Sequence, residues 1–311
     1  MAKSERDAAS TRAQGAEETC DGTCDSCGAT TPCETDQERE YRLQQSRLER
    51  TAAAIKHKIL VLSGKGGVGK STVAATLAWA LALRDYRVGL LDADLHGPTI
   101  ALMMGLRGQQ ATGTGDGLLP VPVAANLSVM SMGLLMAEET APVIWRGPIR
   151  ANAIRQLIAD VEWGELDFLV VDLPPGTGDE PLTAAQSFPD ADGAVVVTTP
   201  QEASLYDCRK AIRFVRAVEL PVLGVIENMS GFVCPHCGEE TRIFSQGGGE
   251  TMAAQMGVPF LGRVPLAPEV VGLGDQGEPL LGPLAPASVR DSFGAVVEAL
   301  LAEIGDSGRA R

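Results

Sequence analysis

Apolar residues in this chain gather in short unbroken runs, and between the runs they recur every three or four positions. Unbroken runs bounded by glycine, proline or acidic residues fit strands buried on both faces; the wider spacing fits helices that cover them. The runs predict strands at 58–63 (KILVLS), 88–92, 168–172, 194–198, 222–226 and 260–264. The wider spacing predicts helices at 72–84, 150–160, 204–218 and 289–304. Such alternation predicts an α/β fold, a mostly parallel, doubly wound sheet with helices on both faces. In the last helix Val289, Phe293, Val296, Val297, Leu300, Leu301 and Ile304 fall at helical spacing, and Arg290 is its only basic residue. It therefore reads as a packing helix rather than a membrane-binding one, which would want a basic face. Residues 111–127, rich in glycine and small side chains, predict no element.

Outside this main domain, placed at 58–305, the pattern changes. Residues 1–19 are polar and are expected to be a disordered tail, as are 306–311. Residues 20–33, CDGTCDSCGATTPC, have almost nothing apolar to bury, so only a bound metal or cluster would order them. Residues 34–57 read as a charged connecting helix. Composition narrows the function: 26 Lys and Arg against 40 Asp and Glu leave a net charge of −14, a poor match for nucleic acid or an anionic membrane. No apolar run reaches membrane-spanning length, and the N-terminus lacks the apolar core of a secretory signal, so a cytoplasmic protein is expected.

The segment SGKGGVGKST, residues 63–72, meets the pattern G-x-x-x-x-G-K-[ST] between a strand and a helix, the context that makes it a phosphate-binding P-loop. Gly64, Gly66, Gly67 and Gly69 permit the backbone, with that of Lys65, Val68 and Thr72, to turn its N–H groups inward around phosphates. Lys70 is placed to reach the β- and γ-phosphates, and the Ser71 hydroxyl to ligate Mg²⁺. Two further apolar runs end in carboxylates, GLLDADLHGPT at Asp92 and Asp94 and FLVVDLPPGTGDE at Asp172. Ligands of open parallel sheets gather at the strand C-termini, so all three face the phosphate side. Asp172 and Asp92 fit support of Mg²⁺, and Asp94 fits a residue that orients the attacking water or a solvated loop carboxylate. Gly176 and Gly178 would give the following loop its mobility.

A second lysine, Lys65, follows the first glycine of the loop, and GKGGVGKST resembles the deviant Walker A loop of the MinD/Mrp class of P-loop ATPases. That resemblance implies that Lys65 reaches across a two-fold axis into the partner's nucleotide and is catalytic together with Lys70 and Asp94. It also implies that Asn228, in GVIENMS, reads the adenine edge and selects ATP; by its residues alone Asn228 could equally be a turn residue.

Six of the seven cysteines fall in two clusters, Cys20, Cys24, Cys27 and Cys33, and Cys234 and Cys237. In a chain outside oxidising compartments such clusters favour metal ligation over disulfides. Cys208, on a helical stretch with apolar neighbours, reads as a buried structural thiol. GKGGVGKST, DADLHGPT, DLPPGTGD, TTPQEASLYD and ENMSGFVCPHCG occur in this order, and together they resemble the Mrp/ApbC family of iron–sulfur cluster carrier ATPases. The resemblance implies a homodimer in which Cys234 and Cys237, within an insert at 229–240, share one bridging cluster with their copies, 4Fe–4S rather than 2Fe–2S. It implies slow ATP hydrolysis coupled to transfer of that cluster to apo iron–sulfur proteins. Zinc is the rival at the C-P-H-C pair, where His236 reads as a spacer.

The N-terminal cysteines resemble those of the cytosolic scaffold branch of that family, which implies a second 4Fe–4S cluster. Here Cys20 lies only four residues before Cys24, so its place as fourth ligand stays open, and four thiolates in one chain equally make a zinc site. Two other functions compete. A MinD/ParA-like positioning ATPase with structural zinc would want a basic tail or patch; an electron-transfer ATPase like the nitrogenase iron protein would carry its cluster ligands at separate places.

Overall fold

In a computed structural model, the described residues are 36–305 except 96, 116, 137–146, 235, 236 and 238. Cys20, Cys24, Cys27, Cys33, His96 and His236 lie outside them. The chain divides into two units between residues 43 and 44. The first is described only from residue 36, where helix α1 (Asp36–Ala53) begins, and the second holds everything that follows Leu43.

After α1 come β1 (Ile55–Ser63), α2 (Lys70–Ala82), β2 (Val88–Asp92) and α3 (Ile100–Met103). Two short strands, β3 (Thr112–Gly113) and β4 (Leu118–Leu119), precede β5 (Val121–Ala124) and β6 (Leu127–Ser131). The chain continues through α4 (Gly147–Ala159), β7 (Leu166–Asp172), α5 (Asp179–Gln186), β8 (Gly193–Thr198), α6 (Glu202–Ala217) and β9 (Val222–Glu227). A hairpin, β10 (Phe232–Val233) and β11 (Glu240–Thr241), leads to α7 (Gly248–Met256), β12 (Phe260–Arg263), α8 (Pro268–Gln276) and α9 (Ala287–Glu303).

Eight strands form one sheet in the order β12-β9-β8-β1-β7-β2-β6-β5, parallel except for the β5–β6 pair. Successive side chains of a strand point to opposite faces, and β1 shows the consequence. Ile59 and Val61 pack with α2 and α9 on one face, whereas Leu60 and Leu62 pack with α4, α6 and α7 on the other. All four are at most 1% exposed, which is why this run has no polar alternation. Apart from the connecting helix, each predicted strand and helix is present with its ends moved by no more than three residues. The doubly wound α/β expectation therefore holds.

Two differences matter. The connecting helix expected to run to residue 57 stops at Ala53, and Ile55, Lys56 and His57 belong to β1. Ile55 pairs with Leu166 and His57 with Phe168. The His57 ring stacks on Phe168 with centroids 5.0 Å apart, and its Nδ1 lies 2.9 Å from Asp192 Oδ1. Sheet pairing outweighs the helical preference of the preceding residues. The second difference is β6, which lies beside β2 in full parallel register and was not expected. Its sequence, LSVMS, places a serine between its apolar residues and another at its end, which breaks the apolar run that marks a buried strand. Among the described residues, no helix is long and apolar enough to cross a membrane.

Candidate functional site

The turn from β1 into α2 carries the P-loop. Gly69 is the N-cap of α2 at φ 79°, and a Cβ there would lie 2.2 Å from Asn228 Nδ2. A side chain at Gly64 would meet the backbone carbonyl of Asp207, on α6, at 2.2 Å. Both glycines are thus required by close approach, and Gly69 also by its left-handed backbone. The helix N-terminus adds a partial positive charge where phosphates would sit.

Strands β2 and β7 pair so that Asp92 and Asp172 stand in register at their C-terminal ends, both fully buried. Lys70 Nζ lies 2.6 Å from Asp172 Oδ1 and 3.2 Å from Ser71 Oγ. Asp92 accepts from the backbone N–H of Asp94 at 3.1 Å, from that of Ile100 at 3.3 Å and from Ser131 Oγ at 3.0 Å. Asp94 is half-buried at the mouth of the site, and its Oδ1 accepts from Gly97 N at 3.3 Å. Lys65 is partly exposed on the loop, and its ammonium makes no ion pair with the described residues. Ser63 Oγ steadies the loop by donating to the Lys65 carbonyl at 2.8 Å.

Burial pushes the Asp92 carboxyl up to about 8, and the nearby Asp172 charge adds to the rise. Asp172 is raised by burial too, while Lys70 pulls against the rise. Asp172 Oδ2 is buried and takes no hydrogen bond. Two costly carboxylates, one orphaned oxygen and the Ser71 hydroxyl form a hard oxygen set that suits Mg²⁺. The sign of the Asp92 shift gives a prediction. Below its unfolded value of 3.8 the group is protonated in both states; between there and about 8 only the unfolded chain has released the proton. Stability therefore falls as pH rises through that window. In EDTA, urea unfolding between about pH 5 and pH 8 should show stability falling by about 1.4 kcal/mol per pH unit, on the order of 4 kcal/mol in all, and Asp92→Asn should flatten the fall.

Beside the loop lies a cavity of about 180 Å³, lined by Gly69, Thr72, Asn228, Met229, Leu266 and Val270 among others. Asn228 is buried, and its Nδ2 donates to Val68 O at 2.9 Å, leaving the side-chain oxygen and a second N–H for a ligand. The cavity is mainly apolar with one amide at its wall, which suits a flat heteroaromatic base.

The other candidate group sits just past β9. Cys234 N donates to Glu239 O at 3.0 Å, closing a hairpin whose tip carries both cysteines. Cys234 is half-buried, Cys237 is exposed, and neither is disulfide-bonded. Among the described residues no set of three or more His, Cys, Asp and Glu is arranged to hold a metal ion. Cys208 is buried against α6's neighbours with its thiol pushed up to about 12 by burial, which makes it unreactive.

The structure thus brings Lys70, Ser71, Asp92, Asp94 and Asp172 into one cluster, with Asn228 on the other side of the loop at Val68 and Cys234 and Cys237 on a separate hairpin. Sequence reasoning missed three residues. Ser131 holds Asp92 from β6, the Asp207 backbone on α6 leaves room only for glycine at Gly64, and Glu227 ends β9 with its carboxylate fully buried. Only Glu227 left a local signal, a charge ending an apolar strand.

Residues 54–301 match the model of the NUBPL iron-transfer P-loop NTPase family. An iron–sulfur cluster carrier protein of Methanocaldococcus jannaschii is 45% identical over 285 residues, 92% of this chain and 97% of the relative. The cytosolic Fe–S cluster assembly factor CFD1 of Candida glabrata is 46% identical over 264 residues, 83% of this chain and 93% of the relative. Among solved structures, a nucleotide-binding protein from Archaeoglobus fulgidus in complex with ADP superposes with a TM-score of 0.68 at 38% identity, covering 78% of this chain and 95% of that one. The cell division ATPase MinD of Pyrococcus furiosus, at 20% identity and a TM-score of 0.57 over 79% of this chain and 98% of its own, shares the fold.

Proposed function

We infer the function from one premise: this chain belongs to the NUBPL iron-transfer P-loop NTPase family. It is an iron–sulfur cluster scaffold and carrier that binds and slowly hydrolyses ATP, assembles a cluster between two copies of itself and passes it to apo-proteins. The relatives' names, cluster carrier and cytosolic assembly factor, support the cargo and a cytoplasmic setting.

One observation carries the reading. The hairpin that presents Cys234 and Cys237 begins only a few residues after Asn228, which lines the base cavity. Six residues span at most about 20 Å of extended chain, so a nucleotide and a sulfur-bound centre sit on one short segment. Two thiolates are half of a four-ligand set, and a two-fold axis supplies the other half. A 4Fe–4S cluster is the cargo this arrangement suits. The N-terminal cysteines Cys20, Cys24, Cys27 and Cys33 would hold a second.

In the nucleotide site the P-loop N–H groups and Lys70 hold the phosphates. Ser71, Asp92 and Asp172 would hold Mg²⁺, which when bound neutralises charge on the β- and γ-phosphates. Asp94 orients the attacking water, and Lys65 of one copy stabilises the charge that develops on the γ-phosphate held by its partner. Asn228 hydrogen-bonds the adenine edge.

Anaerobic reconstitution with iron and sulfide tests the reading. The expected result is a brown dimer with iron and sulfide in equal amounts, and little zinc. Cluster transfer to an apo-acceptor should be several-fold faster with ATP, a difference that Lys70→Ala erases. A colourless, zinc-filled monomer, or transfer by Lys70→Ala with the full nucleotide response, would overturn it.

A further inference from the structure

The buried Glu227 carboxylate is used by neither the phosphate site nor the base cavity. It is 0% exposed, and none of the ion pairs among the described residues involves it. A carboxylate is costly to bury, and hydrogen bonds to its charged form offset that cost. Glu227 Oε1 accepts from Ser230 Oγ at 2.5 Å and from Gly247 N at 2.8 Å, and Oε2 accepts from Gly249 N at 2.5 Å. Gly247 is the N-cap of α7, so the carboxylate also faces the positive end of that nine-residue helix.

The positions of these donors along the chain are informative. Ser230 lies just before the cysteine hairpin, and Gly247 and Gly249 lie just after it. One side chain therefore clamps both ends of the excursion that carries Cys234 and Cys237. The same residue is the direct neighbour of Asn228, whose backbone N–H donates to Thr198 O at 2.8 Å and whose side chain bonds the P-loop at Val68. Between Asn228 and Ser230, Met229 holds a left-handed φ of 56°, a strained state for a non-glycine residue that its neighbours must maintain. This tight turn is all that separates Asn228 from the Ser230 hydroxyl held by Glu227.

We propose that Glu227 is a positioning residue that ties the cysteine excursion to the nucleotide-reading end of β9, so that nucleotide occupancy sets the accessibility of Cys234 and Cys237. The proposal rests on the reading of Asn228 as the base contact, and it extends that reading to how the two sites communicate.

The test uses the full-length, cluster-free protein with and without ATP and Mg²⁺. Alkylation by iodoacetamide is followed by mass spectrometry on the peptide containing Cys234 and Cys237, alongside ATP affinity by equilibrium binding. Wild type should change its alkylation rate about fivefold or more on binding ATP. Glu227→Gln should bring that ratio close to 1 while ATP affinity stays within about threefold. Ser230→Ala, which keeps the carboxylate and both backbone donors, should fall between and decides the matter if Glu227→Gln folds poorly. Loss of a purely structural contact would change both alkylation rates and leave their ratio intact. A wild-type ratio retained in Ser230→Ala, or in a folded Glu227→Gln, overturns the proposal. So does a wild-type ratio of 1, and iron and sulfide found on that same protein after reconstitution would show that the carrier reading survives alone.

Discussion

In a chain whose N-terminal cysteines have been replaced, changing Cys234 to serine should leave a protein that binds ATP with unchanged affinity and stays nearly colourless after anaerobic reconstitution. Cys234 and Cys237 sit on a turn closed by the Cys234 N–H to Glu239 O bond, which a serine preserves. The fold is therefore retained while the sulfur is lost. In a centre shared across a two-fold axis each substitution counts twice, so two of four ligands disappear at once. Cluster retention should fall by more than about tenfold, well beyond the effect expected of a neighbouring hydrogen-bond change. Iron and sulfide per dimer, read with the visible absorption, measure it. If Cys234→Ser holds as much iron and sulfide at its hairpin as wild type, with the N-terminal cysteines replaced in both, the bridging arrangement is wrong.

The second large effect concerns Lys65. Lys65→Ala should bind ATP and lose about 10³-fold in hydrolysis, the scale at which a charge supplied across an interface acts on phosphoryl transfer. Lys70 differs, because its ammonium sits inside its own pocket, 2.6 Å from Asp172, and its loss should weaken nucleotide binding itself. The two variants together make a sharp test. An equal mixture of Lys65→Ala and Lys70→Ala chains contains mixed dimers with one complete pocket, formed by the Lys70 of one copy and the Lys65 of the other. Random pairing predicts about a quarter of wild-type activity from two inactive proteins. A mixture as inactive as its parts would place Lys65 in its own pocket and remove the shared interface.

Much of the site could be read along the chain because its parts are contiguous. Gly64 to Thr72 form one continuous stretch of loop and first helical turn, and Asp92 and Asp172 each end an apolar run. The role of β6 could not be read. A serine interrupts its apolar residues, and it becomes a strand because β2 offers it a parallel edge. With β6 unseen, the Ser131 hydroxyl that holds Asp92 was invisible too. The end of α1 was misplaced for a related reason, since nothing local in residues 54–57 announces that Leu166 and Phe168 will pair with them.

By itself, the order of residues determined which groups are candidates for the chemistry: a phosphate loop, two strand-end carboxylates and a C-x-x-C pair. Each is set by neighbours within a few positions, where backbone preference and side-chain type act directly. The tertiary structure alone decided that Asp92 stands beside Asp172, that Asn228 reaches back to Val68, and that Glu227 grips both ends of the cysteine excursion. Those pairings join residues far apart in the chain. They exist because burying both faces of one sheet selects a single strand order, and that order brings the strand ends together.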